Sequence, residues 1–419
     1  MKILVVHPLQ QHSYYLAAAI KKCNCLEKYM TCVYLKRWSF TNIACRILRN
    51  DSKKRASNRK CKELSDQDVI IYYEILGLLR LFCQNIKAFN KYESKIRAFL
   101  YNLFANKVAR YAINHKVDMV ISFDNCSSKL FSILEKKAPQ IIRVLDTSAA
   151  NPLYMKEIYS KDVLLAPNFS DYLKKECPHV WDDKLLLLNK NEIKLSHYFL
   201  SPSNFVDKSL FFSGVKSQQI FKVPYGLDLK LYTKKSNYKY EVNCPLKLIY
   251  VGGVKEIKGI YYLLEAVNRY TKDQITLTVV GNYDKNDTHL EKYRTNVTFT
   301  GLVLHDQVSL LLKEADVFVF PSLGDSFAFS VLEAAATGLP LIVSENTGMS
   351  DQIINGEEGF IIPVQSIDAI CDKIDWFLIN RDKIEAMGLK AREMALQMTW
   401  TKYQSNIHTF INSIAERGF

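Results

Sequence analysis

The chain has 419 residues, of which 48% are hydrophobic and 12% aromatic, and a formal net charge of +13. This length is enough for two domains with complete cores, and the composition excludes an intrinsically disordered protein. No apolar run approaches the roughly 18 residues that a membrane span needs. The first apolar run, Ile3 to Val6, is too short for a signal peptide and indicates a strand. The ten cysteines are scattered without a zinc-binding pattern, so we expect reduced thiols in a cytoplasmic protein.

The first elements are typical of an α/β domain. A strand over Lys2–Val6 is followed by a loop that contains His7, Gln11 and His12, and then by an Ala-rich helix over Tyr14–Lys21. In a Rossmann-like domain the loop after the first strand faces the ligand crevice. These polar side chains are therefore candidates for contact with a ligand, although a lone histidine is more often a structural residue.

A basic segment follows and admits two interpretations. It has Asp51 as its one acidic residue, and it lacks a zinc-finger, basic-zipper or RNA-binding signature, so we expect no nucleic-acid partner. An anionic membrane surface would attract it, at about 1 kcal/mol per basic residue near anionic lipid. The alternative is an ordinary solvated surface. The basic residues between Lys36 and Lys62 are Lys36, Arg37, Arg46, Arg49, Lys53, Lys54, Arg55, Arg59, Lys60 and Lys62.

Tyr72 to Asn114 predicts helical structure with an apolar stripe. The stripe follows the helical spacing i, i+3, i+4, i+7 and consists of Ile75, Leu78, Leu79 and Phe82. Two locations remain open for it, a bilayer surface and the face of the sheet, and packing against the sheet is the favoured one.

Further strands are predicted over Thr31–Leu35, Val117–Phe123 and Ile141–Leu145. Polar residues follow the last two strands directly, which places them at the crevice: Asp124, Asp146, Thr147 and Ser148.

The second half contains a loop that suits an anionic ligand. Strand Leu248–Val251 leads into the loop Gly252–Gly259 and a helix over Ile260–Tyr270. Glycines let the backbone approach a phosphate, and Lys258 at the helix entrance supplies a positive charge. The alternative is that Lys258 is a plain surface residue.

Residues 316–344 form a strand–loop–helix–strand unit. The helix, predicted over Phe327–Thr337 with Asp325 or Ser326 as its N-cap, is apolar nearly all round, yet Glu333 lies in its middle. Asp325 and Glu333 are separated by about 12 Å at roughly 1.5 Å per residue, the reach of a sugar–diphosphate–ribose lying past the helix N-terminus. The alternative is a structural carboxylate paired with a distant Lys or Arg.

This unit resembles the acid-x₇-Glu motif of the retaining GT-B glycosyltransferases of the family 4 type (glycosyl transferases group 1). The family form is P-S-x-x-E-x-F-G-x-x-x-x-E-A. Two departures are Asp325 in place of Glu and Ala328 in place of Gly, and the similarity extends from about Leu248 to Ile370. The matching residues are Pro321, Ser322, Asp325, Phe327, Glu333 and Ala334.

The resemblance implies a GT-B fold, an α/β architecture with two Rossmann-like doubly wound domains that face a cleft. An N-terminal acceptor-side domain is expected over residues 1–226 with 400–419, whose last helix returns to the first domain. A C-terminal nucleotide-sugar-binding domain is expected over 227–399. The segment Phe221–Asp228 resembles the end of the family's first domain, V-x-P-N-G-x-D, with Tyr225 in place of Asn.

The resemblance also implies site residues. Lys258 and Asp325 are the implied catalytic residues, which stabilise the leaving diphosphate and hold the transferred sugar, and Glu333 holds the ribose hydroxyls. Gly253 takes the place of the Arg in the family's G-R-x-x-x-x-K-G loop, and Lys255 is the candidate substitute. The implied donor-binding residues are Gly252, Gly253, Lys258, Leu302, Val303, Asp325, Ser326, Phe327, Ala328 and Glu333. The candidate acceptor-side residues are His7, Gln11, His12, Asp146 and Ser148.

The implied reaction moves a sugar from a nucleotide-diphosphate sugar to an acceptor hydroxyl with retention of configuration. The family setting suggests a surface-glycan or lipid-linked acceptor and a cytoplasmic enzyme that is peripheral at the inner face of the membrane. We expect no metal, since there is no D-x-D motif in the expected place, and no cofactor besides the donor. Two alternatives remain open: a non-catalytic nucleotide-sugar-binding protein and a GT-B nucleotide-sugar epimerase.

Overall fold

The computed structural model describes residues 1–9, 12–47, 53, 56–167, 170–236, 238 and 244–417. The candidate residue Gln11 lies outside these ranges, as do Arg49, Lys54 and Arg55 of the basic segment. Two parallel sheets, each covered by helices, make up the described part of the chain.

The first sheet has seven described strands, which are β1 (Ile3–Val6), β2 (Leu26–Thr31), β3 (Val69–Ile71), β4 (Met119–Phe123), β5 (Ile142–Asp146), β6 (Tyr198–Ser201) and β7 (Ile220–Lys222). Their order in the sheet is β3-β2-β1-β4-β5-β6-β7, and all neighbours are parallel. Strands β1 and β4 are buried along their whole length because helices cover both faces, which is why they consist of nearly continuous apolar residues.

The helices of this half are α1 (Ser13–Lys22), α2 (Phe40–Ile47), α3 (Glu74–Asn85), α4 (Asn90–Asn114), α5 (Ser128–Lys137), α6 (Pro152–Leu165), α7 (Ser170–Glu176), α8 (Asp183–Leu195) and α9 (Asn204–Phe212). Helix α1 packs closely on the sheet through its buried alanines. Ser203 caps α9 by accepting a hydrogen bond from the Val206 N–H.

The second sheet has six described strands, which are β8 (Leu246–Val251), β9 (Ile275–Val280), β10 (Val297–Gly301), β11 (Val317–Phe320), β12 (Leu341–Ser344) and β13 (Gly359–Ile362). Their order is β10-β9-β8-β11-β12-β13, again all parallel. The helices are α10 (Ile260–Val267), α11 (His305–Glu314), α12 (Phe329–Thr337), α13 (Ile367–Ile379), α14 (Ile384–Leu396) and α15 (Trp400–Glu416). The predicted architecture of two Rossmann-like units is confirmed.

The last helix, α15, returns to the first sheet. The Trp400 ring stacks on Tyr15 of α1 with centroids 3.6 Å apart, and Phe410 contacts Phe221 of β7 edge to face. Where the chain passes between the two sheets, Leu227 and Thr399 form a parallel bridge. The expected domain boundaries, at 226/227 and 399/400, stay a prediction.

One predicted strand is displaced. The sequence favours Thr31–Leu35 as the second strand, but β2 is Leu26–Thr31. Cys32, Val33 and Tyr34 are fully buried beyond its end, because α3 packs on this run through Gly77, whose Cβ position would lie only 2.7 Å from the Val33 side chain. An apolar run buried by a helix and one buried in a sheet have the same sequence signature.

Candidate functional site

Two neighbouring strands bring Lys258 and Asp325 together. Lys258 ends a short 3₁₀ turn, Glu256–Lys258, that follows β8, and Asp325 lies in the loop after β11. Because β8 and β11 pair in parallel, both loops leave the sheet at the same edge. Lys258 Nζ lies 2.5 Å from Asp325 Oδ2, and both side chains are partly exposed. The two residues that the sequence proposes as catalytic therefore form an ion pair that solvent reaches.

The second oxygen of Asp325 determines where α12 begins. Oδ1 accepts hydrogen bonds from the backbone N–H groups of Phe327 (3.1 Å) and Ala328 (2.8 Å). Ala328 has a φ of 63°, and the helix begins at Phe329, two residues later than predicted. Glycine adopts such a φ without strain, which accounts for the family's Gly at this position. The amides of Phe327 and Ala328, two of the implied donor-binding residues, are thus bound to Asp325.

Ser326 and Phe327 connect this loop to the other half of the chain. The Ala150 N–H donates to Ser326 Oγ at 2.9 Å, and Ser203 Oγ donates to the Ser326 carbonyl oxygen at 2.6 Å. The Phe327 ring meets Tyr225 edge to face, with centroids 5.1 Å apart. The expected donor and acceptor sides thus face each other across a closed cleft.

Glu333 has a partner that is remote in sequence. The Tyr232 hydroxyl hydrogen bonds to its carboxylate and also lies 2.6 Å from His305 Nε2. Burial raises the pKa of Glu333, and the hydrogen bond from Tyr232 and the nearby His305 oppose that shift. Among the described residues no Lys or Arg forms an ion pair with Glu333. The alternative of a distant Lys or Arg partner is therefore not realised in the described part of the chain, and the ribose role of Glu333 stays a prediction.

The three glycines of the Gly252–Gly259 loop differ in the space that each leaves for a side chain. A Cβ at Gly259, where φ is 66°, would lie 1.9 Å from the Pro321 carbonyl oxygen, so a side chain is excluded there. A Cβ at Gly252 would press on a tyrosine hydroxyl at 2.7 Å. At Gly253 it would meet the Lys255 side chain at 3.6 Å, which is ordinary contact. The backbone at the family's arginine position therefore admits a Cβ atom without a clash.

A carboxylate from the first half occupies the N–H groups of the same loop. Glu176, at the end of α7, accepts from the Glu256 N–H at 3.2 Å and from the Ile257 N–H at 3.1 Å. Burial raises the pKa of Glu176, while these hydrogen bonds and the charges of Lys255 and Lys258 lower it. An anionic ligand that needs these amides has to displace this carboxylate.

The remaining donor-side candidates follow β10. Gly301 has a φ of 76°, which turns the chain out of the sheet. Leu302 is exposed, and Val303 is partly buried against the core. Their backbone lies at the carboxyl edge of the second sheet, the edge that also carries Lys258 and Asp325.

In the first half, His12 and Asp146 form a pair. His12 Nε2 lies 2.9 Å from Asp146 Oδ2, and both side chains are largely buried. The imidazole also packs against Phe123 and Tyr225. The sequence places these two residues at one edge of the sheet, and the structure brings them into direct contact.

The other acceptor-side candidates lie beside this pair. Ser148 Oγ donates to Asp124 Oδ1 at 2.7 Å, and burial raises the pKa of Asp124 to about 6. His7 is buried, its Nδ1 accepts from the Leu9 N–H, and burial lowers its pKa to about 4. His7 is therefore neutral near pH 7 and serves the loop structure.

The sequence places Asp124 at the crevice without naming it a site residue, and it gives no site prediction for the cleft residues Glu176, Tyr225, Tyr232 and His305. Asp124 and Tyr225 carry a weak signal, since one follows a strand directly and the other replaces the family's Asn. Glu176, Tyr232 and His305 belong to no motif, and only the fold reveals their contacts.

The described residues contain neither a metal-binding cluster nor a helix that could span a membrane. No group of three or more His, Cys, Asp or Glu side chains is placed to hold a metal ion. No described helix is both long and apolar enough to cross a bilayer.

Residues 245–380 match the family model described as Glycosyl transferases group 1. Glycogen synthase of Mycobacterium tuberculosis is 34% identical over 122 residues, which are 27% of this chain and 30% of that protein. The capsular polysaccharide biosynthesis glycosyltransferase CapM of Staphylococcus aureus is 28% identical over 189 residues, 42% of this chain and 50% of that protein. The chain therefore spans half or less of the length of these curated relatives.

Solved structures extend the likeness in fold to the whole chain. Sucrose-phosphate synthase of Thermosynechococcus elongatus superposes with a TM-score of 0.63 at 16% identity and covers 100% of both chains. HepE of Anabaena in complex with UDP and glucose gives a TM-score of 0.60 at 15% identity, with 99% of this chain and 100% of that chain covered. The predicted GT-B fold is confirmed, and the segment that carries Lys258, Asp325 and Glu333 is similar to the group 1 glycosyl transferases.

Proposed function

We propose that this chain is a glycosyltransferase that moves a sugar from a nucleotide-diphosphate sugar to an acceptor hydroxyl with retention of configuration. One observation carries the proposal. Lys258 and Asp325 meet at the carboxyl edge of the second sheet, with 2.5 Å between Nζ and Oδ2, inside the segment that is similar to group 1 glycosyl transferases. Ligands of open α/β sheets bind at this edge.

The proposed chemistry breaks the bond between the sugar anomeric carbon and the diphosphate oxygen and forms a bond from that carbon to the acceptor oxygen. The acceptor hydroxyl passes its proton to the leaving diphosphate oxygen as the new bond forms. Lys258 stabilises the charge that develops on the diphosphate, because its ammonium group exchanges the Asp325 carboxylate for phosphate oxygens. Asp325, released from Lys258, accepts hydrogen bonds from sugar hydroxyls.

Glu333 is proposed to hold the ribose of the donor. Its carboxylate accepts from vicinal hydroxyls, and Tyr232 fixes it by a hydrogen bond from the protein side. The remaining donor contacts proposed from the sequence are the backbone near Leu302 and Val303, toward the base, and the loop at Gly252 and Gly253, toward the diphosphate. No metal or further cofactor is part of this proposal.

The donor class is supported by HepE, whose structure holds UDP and glucose in the same fold. The acceptor class is supported by CapM, a capsular polysaccharide biosynthesis glycosyltransferase by name. We propose a glycan or lipid-linked acceptor bound on the side of His12, Asp146 and Ser148, and a cytoplasmic location at the membrane surface.

The first test is nucleotide binding. Calorimetric titration with UDP, GDP, ADP and CMP is expected to select one nucleotide. Lys258→Ala and Glu333→Ala are each expected to weaken it at least tenfold, since each removes a charged contact to the ligand. Lys390→Ala is the matched control, because Lys390 pairs with Glu357 on the surface away from the cleft.

A turnover assay distinguishes a retaining glycosyltransferase from an inverting one and from an epimerase. Incubation of the matching nucleotide sugar with candidate acceptors, followed by nuclear magnetic resonance of the product, reads out the anomeric configuration directly. An inverted product would contradict retention, and a changed donor sugar without an acceptor product would indicate an epimerase. Equal affinity of wild type and Glu333→Ala for the nucleotide would refute the ribose role.

A further inference from the structure

Helix α2 exposes an apolar stripe. Phe40, Ile43 and Ile47 follow the spacing i, i+3, i+7, and each is more than half exposed. The opposite side of the helix is anchored by the buried residues Thr41 and Cys45. A stripe with this spacing normally faces a core. Its exposure therefore indicates a surface that contacts a partner or a membrane when the protein functions.

Helix α3 exposes a second stripe. Ile75, Leu79 and Phe82 follow the spacing i, i+4, i+7 and are all exposed. The buried side of α3 is formed by Gly77, Arg80 and Cys83, and the close approach of Gly77 to the strand region fixes this orientation. The expectation that this stripe packs against the sheet is wrong for these three residues.

The two stripes meet where helices α2 and α3 begin. Glu74, the first residue of α3, accepts hydrogen bonds from the Phe40 N–H (3.0 Å), the Thr41 N–H (2.8 Å) and Thr41 Oγ, so it ties the start of α2 to α3. A groove of about 540 Å³ joins the helices, and Trp38 on its rim is 87% exposed. We call this surface the α2–α3 face, defined by Trp38, Phe40, Ile43, Ile47, Ile75, Leu79 and Phe82.

Most charged side chains around the α2–α3 face are positive, and the Asp66 carboxylate there accepts a hydrogen bond from the Arg37 N–H at 3.1 Å. Arg37 lies over the Trp38 ring at 5.7 Å, and Arg46 and Lys53 are exposed on the α2 side. Glu74, the acidic residue that lines the groove, is engaged with the start of α2. The surface therefore combines bare aromatic and aliphatic side chains with arginine and lysine.

We propose that the α2–α3 face docks this protein on an anionic lipid bilayer. Indole and phenyl rings favour the boundary between headgroups and acyl chains, and arginine and lysine favour anionic headgroups. A second copy of the chain is the poorer occupant, because face-to-face docking would bring Arg37 and Arg46 of both copies together. This inference deepens the proposed location at the membrane surface by assigning the face that makes the contact, and it does not depend on the glycosyl transfer itself.

The docking geometry also concerns the cleft. Helices α2 and α3 begin beyond the carboxyl ends of β2 and β3, and His12 and Asp146 lie at the same edge of that parallel sheet. A bilayer against the α2–α3 face would therefore lie near the crevice of the first half. The functional value of this closeness rests on the proposed function, because a bilayer near the crevice would present a lipid-linked acceptor to it.

Vesicle flotation of the full chain tests the proposal. Binding to vesicles of phosphatidylcholine with phosphatidylglycerol is expected, with at least tenfold weaker binding to phosphatidylcholine alone. The variant Ile43→Ser/Phe82→Ser should lose at least tenfold in affinity, and Arg37→Gln/Arg46→Gln should lose a similar amount. Ile379→Ser, at a still more exposed position at the end of α13, is the control and should bind as wild type.

Tryptophan fluorescence provides an independent readout. The emission should shift to the blue on addition of anionic vesicles, and Trp38→Phe should abolish the shift because the other three tryptophans, Trp181, Trp376 and Trp400, are partly buried.

No flotation with anionic vesicles would overturn the proposal, and so would binding that the Ile43/Phe82 variant retains. A dimer in sedimentation velocity that this variant dissociates would assign the face to self-association instead. Donor binding by calorimetry is unaffected in either case, which separates this test from that of the proposed function.

Discussion

At the scale of single residues, Gly253 gives the sharpest prediction. The family's arginine is missing there, and the backbone admits a Cβ atom, whose nearest contact would be the flexible Lys255 side chain at 3.6 Å. Gly253→Arg should bind the preferred nucleoside diphosphate about threefold to tenfold more tightly in calorimetry, because a guanidinium adds charge-assisted hydrogen bonds to phosphate. Gly253→Gln, which has a long neutral side chain, should show no such gain. Weaker binding by the arginine variant would mean that the loop positions the diphosphate elsewhere.

Single residues also show how much of the candidate site the sequence predicts. Lys258 and Asp325 are identified from their motifs, and they lie side by side, although their roles stay predictions. For Glu333 the sequence indicates a buried carboxylate in need of a partner, but it does not identify Tyr232. That partner is about a hundred positions earlier in the chain, and no local pattern marks a hydroxyl that reaches across the fold.

At the scale of elements, the boundaries depend on side chains that compete for backbone groups. Residues 327 and 328 have helical neighbours and an apolar pattern, so the sequence favours a helix from Phe327. Asp325 instead binds both amides, and Ala328 takes a left-handed conformation, so α12 begins at Phe329. Periodicity predicts that a helix is present, whereas its first turn is decided by such local hydrogen bonds.

The turn Glu256–Lys258 supports a second prediction. Its amides are held by the Glu176 carboxylate, which stands where an anionic ligand would bind. Glu176→Gln should therefore raise the affinity for the preferred nucleoside diphosphate about threefold to tenfold in calorimetry, since one negative charge near the phosphates is removed. Glu157→Gln, on exposed α6 surface, is the control. A loss of affinity would show that the carboxylate orders the loop for binding and does not compete with the ligand.

At the scale of the whole molecule, buried carboxyl groups lie between the two halves. Asp162 of α6 accepts from Tyr262 Oη at 2.6 Å and from Gln365 Nε2 at 3.1 Å, both in the second half. The Glu256 carboxyl lies beside Asp162, and both residues are buried. The sequence predicts the two-domain architecture correctly, but it gives no sign of this junction, because each residue belongs to a different domain and to no motif.

We expect this junction to make closure of the cleft depend on pH. Burial raises the pKa of Glu256 above its ordinary value of 4.5, and the neighbouring Asp162 raises it further, so the closed form holds a proton that the open form releases. Closure is then fully favoured below the ordinary glutamate pKa and weakens as pH rises, by up to about tenfold in the ratio of closed to open molecules for each pH unit. The raised pKa values of Glu176 and Asp351, also at the interface, act in the same direction.

Small-angle X-ray scattering should accordingly give a larger radius of gyration at pH 9 than at pH 6. Glu256→Gln keeps the buried group neutral at both pH values and should reduce that difference, with the variant staying compact at pH 9. Equal radii for the wild type at both pH values would rule out a protonated junction as a condition of closure.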